Sequence, residues 1–267
     1  MRVLHSLAAF GVAGQMLGGA AVAAADMQSF TDKQVRPVPG YALACRKIAE
    51  DEAGRDRRIR GEVVAVLADG DGSRLRALRN DREGLVAEVE MRFDAMGALV
   101  GEPTVKRDGK VDTSAQGARL AVAARKVATE SVYTGRALSS GDAFTIPYEI
   151  AEIQALVDRF WPKPAHIAQY AEAGHVVGLR EPPTFGTVMV VERVARGVLK
   201  DDDESLTLSA RIVESYALAS GLPVAMQSRA TIAGEAATIR ATETSDCRYT
   251  ATPDGTPPGK QAAATAR

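Results

Sequence analysis

Between Leu85 and Phe93 apolar and charged positions alternate: Leu85, Ala87, Val89, Met91 and Phe93 are apolar, Glu88, Glu90 and Arg92 are charged, and Val86 is the one exception. A period of two puts one set of side chains on each face of a strand, so this segment predicts a half-buried β-strand. Glu62–Leu67 and Leu75–Leu78 are shorter runs of the same kind, with turns at Asp69-Gly70-Asp71-Gly72 and from Asn80 to Gly84. Together they predict an antiparallel meander. Residues 101–112, with Pro103, Gly109 and mixed charges, read as a loop.

The period then lengthens. Thr113 or Ser114 is placed to cap a helix through Leu120, Ala124, Val127 and Ala128 to about Glu130. After Pro147, Ile150, Ile153, Leu156, Val157 and Phe160 recur at helical steps, until Trp161-Pro162-Lys163-Pro164 removes the donor and the room a further turn needs. Strand-like runs return at His175–Leu179, Thr187–Val194, Leu206–Ala217, Val224–Ala233 and Ala236–Cys247, with turns at Asp201–Glu204 and Ser220–Pro223. The expectation is an α+β fold, mainly antiparallel β-sheet, as a curved sheet, half-barrel or sandwich, with two helices between two strand-rich blocks.

Those blocks bear comparison as copies. Gly61–Val66 lies beside Gly186–Val191 and Met96–Val100 beside Ser220–Val224, although the register drifts between these anchors.

The first 25 residues break the pattern. Met1-Arg2 precedes an apolar run, uncharged apart from His5, which closes on Ala20-Ala21-Val22-Ala23-Ala24-Ala25 before Asp26. That order reads as a secretory signal peptide with competing cuts after Ala23 and Ala25, and its glycines and Gln15 dilute the apolar run too far for a membrane anchor. The expected organisation is therefore a signal peptide at 1–25, a lead segment at 26–60 with one short strand or helical turn around Tyr41–Ile48, and a single β-rich domain at 61–249. Within that domain lie a strand block at 61–105, a helical middle at 113–161 and a strand block at 175–249. Residues 250–267, rich in Pro, Gly, Thr and Ala, are expected to be disordered. The product would be periplasmic or secreted, with no membrane span once the signal is gone.

Charge is balanced, 33 Lys+Arg against 34 Asp+Glu, which argues against a nucleic-acid partner. The cluster Arg55–Arg60 is interrupted by Asp56 and reads as a solvated connector. Two cysteines remain after export, Cys45 and Cys247, and in an oxidising compartment they are expected to form a disulfide.

Chemistry is sparse. His166 and His175 are nine residues apart, which fits no helical metal motif, and no G-x-S-x-G or S-x-x-K pattern occurs. Asp69–Ser73 begins like a calcium loop, but Arg74 stands where the glycine belongs and Asn80 where the bidentate glutamate belongs. The acidic turn Asp201–Glu204 has the look of a solvated turn. No catalytic residue, metal or cofactor is expected.

Phe160, Trp161 and Tyr170 gather aromatic rings around the double proline and form a candidate lid, or else fill the gap between helix and sheet. Val89, Met91 and Phe93 with Leu206, Leu208 and Ile212 are the apolar positions expected to share the inner face of the sheet, as a candidate ligand face or as core. In outline such a sheet resembles the half-barrel lipoprotein carriers of the periplasm. The leading expectation is a non-catalytic exported envelope protein that binds an apolar small molecule or an envelope protein. A hydrolase with an unrecognised site and a structural or assembly factor are the alternatives.

Overall fold

The structure, a computed structural model, describes residues 27–51, 58–80, 86–114, 117–118, 120–122, 124–125, 132–133, 135–146, 165–201, 205–234 and 238–250. The strands are β1 (Ala42–Asp51), β2 (Arg58–Asp69), β3 (Gly72–Asn80), β4 (Val86–Phe93), β5 (Leu99–Arg107), β6 (Lys110–Val111), β7 (Ala143–Ile146), β8 (Ala165–Arg180), β9 (Val188–Asp201), β10 (Ser205–Ala217), β11 (Pro223–Ala233) and β12 (Thr238–Thr250). All twelve belong to one sheet, in the order β6-β5-β4-β3-β2-β1-β12-β11-β10-β9-β8-β7, and each pairing is antiparallel. Two six-stranded meanders thus meet at a seam between the first strand and the last. The outermost strands, β6 and β7, are 2 and 4 residues long and pair only with Lys106 and Arg107 of β5 and with Glu172 to His175 of β8.

The sheet curls. Phe93 on β4 and Tyr216 on β10 are six strand positions apart, a separation of roughly 29 Å in a flat sheet at about 4.8 Å per strand. Yet one ring, Tyr133, stands 5.4 Å from Phe93 and 5.9 Å from Tyr216. Following the register across every pairing puts Val105, Val89, Leu75, Val64, Leu43, Cys247, Ile212, Val191 and Val176 on the same, concave face. All of them are buried.

One end of the concave space is closed by the chain itself. Residues 27–41 form a strap that bridges both meanders: Gln28 pairs with Leu179 on β8, Lys33 with Leu138, Val38 N–H donates to Ser220 O at 3.0 Å, and Gly40 N–H to Val66 O at 3.0 Å. Val35 of the strap, Val132, Tyr133 and Leu138 join Val66, Leu75, Phe93, Met189, Tyr216 and Leu222 in one apolar cluster. The strap passes between two turn glycines with positive φ, Gly97 (81°) after β4 and Gly221 (67°) after β10. A Cβ on Gly97 would lie 2.7 Å from Arg36 Cβ, and one on Gly221 would lie 1.8 Å from Arg36 O. Glycine is required here by close approach as well as by conformation.

Several expectations hold. The predominantly antiparallel β class is what the chain forms. The lead segment contributes β1, Asp69–Gly72 is a hairpin turn, and Ser114 Oγ accepts from Gly117 N–H at 3.1 Å at the start of helical residues within 117–125. That is the one short helix among the described residues. The second expected helix, the signal peptide, Phe160, Trp161 and the tail from residue 251 lie outside them.

Two expectations are corrected. Residues 101–112 are not a loop: most of β5 and all of β6 fall there, joined by Asp108 (φ 51°) and Gly109 (φ 76°). Two consecutive left-handed residues suit the tight hairpin turn that a strand pair requires, and Pro103 sits where the β4–β5 register shifts. The second block begins at Ala165 rather than His175, because β8 has a register shift between Ile167 and Gln169 that disrupts its alternation.

The suggested duplication is split by the topology. The turns after β4 and β10 are equivalent under a shift of six strands, but β2 and β9 run in opposite directions along the sheet, so the anchor at Gly61 and Gly186 does not relate the two meanders.

Candidate functional site

Two arrangements of charge stand out, one on each face. On the concave face the apolar lining gives way, on β8, β9 and β10, to Glu172, Arg193 and Glu214. Register forces them together: Glu172 stands opposite Ala195, Arg193 opposite Ile212, and Glu214 opposite Val191. Arg193 Nη1 lies 3.1 Å from Glu172 Oε1, and its Nε lies 3.3 Å from Glu214 Oε2. The arginine side chain is 2% exposed. Tyr170 hydroxyl donates to Glu172 Oε2 at 3.1 Å and Tyr216 hydroxyl to Glu214 Oε2 at 3.2 Å. Burial, reinforced by the charge of Glu214, pushes the Tyr133 and Tyr216 hydroxyls far above the ordinary phenol range. They are held as protonated donors, Tyr133 to Gly221 O at 2.6 Å. Convergent polar groups with shifted ionisation are what an enzyme site needs. Here the shift moves the tyrosines away from general-base chemistry, and the guanidinium is engaged by carboxylates on two sides. The cluster is suited to fixing strand register.

The outer face differs between the meanders. On β3, β4 and β5, Arg76 meets Glu88 at 2.6 Å, Arg74 meets Glu90 at 3.5 Å, and Lys106 reaches both glutamates. On β9 to β12 the outward positions include Arg196, Lys200, Arg211, Arg229, Arg240 and Arg248, and the acids that share this outward register are Glu192 and Asp246. Glu192 is bound to Arg211 and lies 3.8 Å from His175 Nε2.

The positions singled out from sequence fall as follows. Cys45 and Cys247 are directly opposed across the β1–β12 seam and bonded. Val89, Met91 and Phe93 on β4 and Leu206, Leu208 and Ile212 on β10 share the concave face, as alternation required. They are not one cluster, however. Phe93 is in the core at the strap end, whereas Leu206 and Leu208 pack with Ala165, Ile167 and Leu199 in a second cluster at the far end. All but Met91 are buried. Tyr170 lies within β8, opposite Gly197, against that second cluster. His166 and His175 are exposed on the outer side of β8, away from each other. Asp69 is bonded by Arg92 Nε at 2.6 Å and Nη2 at 3.1 Å, and this pairing holds its carboxyl below the usual range.

Sequence inspection missed both charge arrangements. Glu172, Arg193 and Glu214 are 21 residues apart in turn, and nothing local marks them. The outer arginines become a group only when register is known.

No family model matches the chain, and no curated protein is similar to it. Among solved structures, a candidate exported protein with YmcC-like fold from Bacteroides fragilis is 9% identical, over 82% of this chain and 99% of that one, with a TM-score of 0.31. A candidate lipoprotein from Parabacteroides distasonis is 9% identical over the same shares, with a TM-score of 0.32. Superpositions this loose carry neither a fold family nor a function over to this chain.

Proposed function

We propose that this is an exported envelope protein without catalytic chemistry, working outside the cytoplasm by binding a partner through its outer surface. The disulfide between the first and last strands carries the reading, because such a bond persists in an oxidising compartment, and the pattern of residues 1–25 supplies the means of export. No helix among the described residues is long and apolar enough to cross a membrane. The burial of Val89, Phe93, Leu206, Leu208 and Ile212 favours a partner outside over an apolar molecule carried within.

Cell fractionation with N-terminal sequencing tests the first half. A periplasmic or secreted product starting at Ala24 or Asp26 is expected, and a product starting at Met1 overturns export. Titration with a fluorescent fatty-acid probe tests the second. No uptake is expected; saturable uptake abolished by Leu208→Asp, in a variant that still melts cooperatively, would return the carrier reading.

A further inference from the structure

On the outer face of the second meander, register builds a compact group. Arg196 on β9 stands beside Ser209 on β10, Ser209 beside Thr231 on β11, and Thr231 beside Arg240 on β12. One outward position nearer the strap, Arg211 stands directly opposite Arg229, which in turn is beside Thr242. Thr231 is thus ringed by four guanidinium-bearing residues. It is 6% exposed, and its Oγ1 has no hydrogen-bond partner among the described residues. Among the described residues, Glu192, bound to Arg211, and Glu50, opposite Thr242 on β1, are acids at the rim, and Arg240 is itself engaged by a partner.

Both features work against stability. Like charges directly opposite on neighbouring strands repel, and a buried hydroxyl without a partner retains its desolvation penalty. A fold usually breaks such rules where a function requires it. One ligand relieves both at once: an anion with several oxygens, accepting from planar guanidinium forks on more than one side and from hydroxyls between them. A carboxylate offers two oxygens in one plane, whereas a phosphoryl group offers three or four directions.

We infer that Arg196, Arg211, Arg229 and Arg240 around Thr231 form a binding site for a phosphoryl group. This deepens, and rests on, the reading of the protein as an exported binder. Anionic lipid headgroups and free phosphate share that chemistry, so the two sources are separated by experiment.

The mature protein is titrated with inorganic phosphate by calorimetry, and co-sedimented with phosphatidylglycerol vesicles and with phosphatidylcholine vesicles. Phosphate binding is expected, reduced at least tenfold in Arg196→Gln/Arg229→Gln. Thr231→Val keeps the shape of the side chain and removes its donor. It should weaken binding several-fold with a melting temperature unchanged or raised. Sedimentation with phosphatidylglycerol alone, competed by phosphate, assigns the source to lipid; phosphate binding without sedimentation assigns it to a soluble phosphorylated compound. No phosphate binding by the unaltered protein, or equal binding by both variants, overturns the site. A mature terminus at Met1 with phosphate binding intact would overturn export and leave the site standing.

Discussion

The two meanders have similar backbones but place their charges in opposite ways. In the first, the concave face through β3, β4 and β5 is lined by Leu75, Ala77, Val89, Phe93 and Val105, and the convex face carries arginine, lysine and glutamate in contact with one another. In the second, a charged trio is buried on the concave face, and the convex face has an excess of arginine. The first meander also sets Arg74 opposite Arg92 and buries Glu62 on the concave face, but each of these charges has an opposite charge in contact, Glu90, Asp69 and Lys47 in turn. The second goes further, with one guanidinium between two carboxylates inside and Arg211 directly opposite Arg229 outside, and that difference locates register control inside and the proposed anion site outside.

The largest expected effect belongs to the bond that joins the two meanders. Cys45 and Cys247 are 202 residues apart in sequence, so their bond closes nearly the whole described chain into a loop. On the chain-entropy view this contributes up to about 5 kcal/mol. Cys45→Ser/Cys247→Ser should lower the urea midpoint by a corresponding amount. If the midpoint of the unaltered protein is the same with and without reductant, the seam is held by strand pairing alone.

Next comes the buried trio. Arg193→Met leaves Glu172 and Glu214 without their shared cation, and stranding buried charge in this way costs about 3–5 kcal/mol. Replacing the trio together, as Glu172→Leu/Arg193→Met/Glu214→Leu, should recover much of the loss, because the desolvation cost goes with the charges. Equilibrium denaturation of both proteins measures the difference. A triple variant less stable than the single one would mean that the trio contributes net stability as well as register.

How far sequence alone reached follows the same division. β4 was legible from its alternation, since of its described inner positions Val89 and Phe93 are buried and Met91 is half-buried. The cysteine pair was legible from export and number. β5 was not, because Gly101, Pro103 and the Asp108–Gly109 turn carry loop chemistry that here serves a register shift and a tight hairpin. The start of β8 was hidden because its shift between Ile167 and Gln169 puts Ile167 and Tyr170, three residues apart, on the same face. Charge arrangements were the least legible of all. Arg211 and Arg229 are ordinary residues 18 apart until strand pairing sets one opposite the other.

The smallest effect gives the finest test of the comparison, because removing one charge should act in opposite directions on the two convex faces. On the first, Arg76 donates to Glu88 and holds its carboxyl below the ordinary glutamate range. A carboxyl with its folded value depressed adds stability above its unfolded value of about 4.3, and loses that contribution as pH falls through the folded value. Glu88→Gln should therefore cost less than about 1 kcal/mol at neutral pH, since Arg76 is partly solvated, and the gap from the unaltered protein should close below about pH 4. On the second face, Arg229→Thr removes one of two opposed like charges and should raise the midpoint by a few tenths of a kcal/mol at low salt, with the gain fading as salt is added. Denaturation midpoints at pH 7 and pH 3, each at low and high salt, read both. If Arg229→Thr is destabilising at low salt, the arginines of the second meander are compensated as well as those of the first, and the contrast between the faces fails.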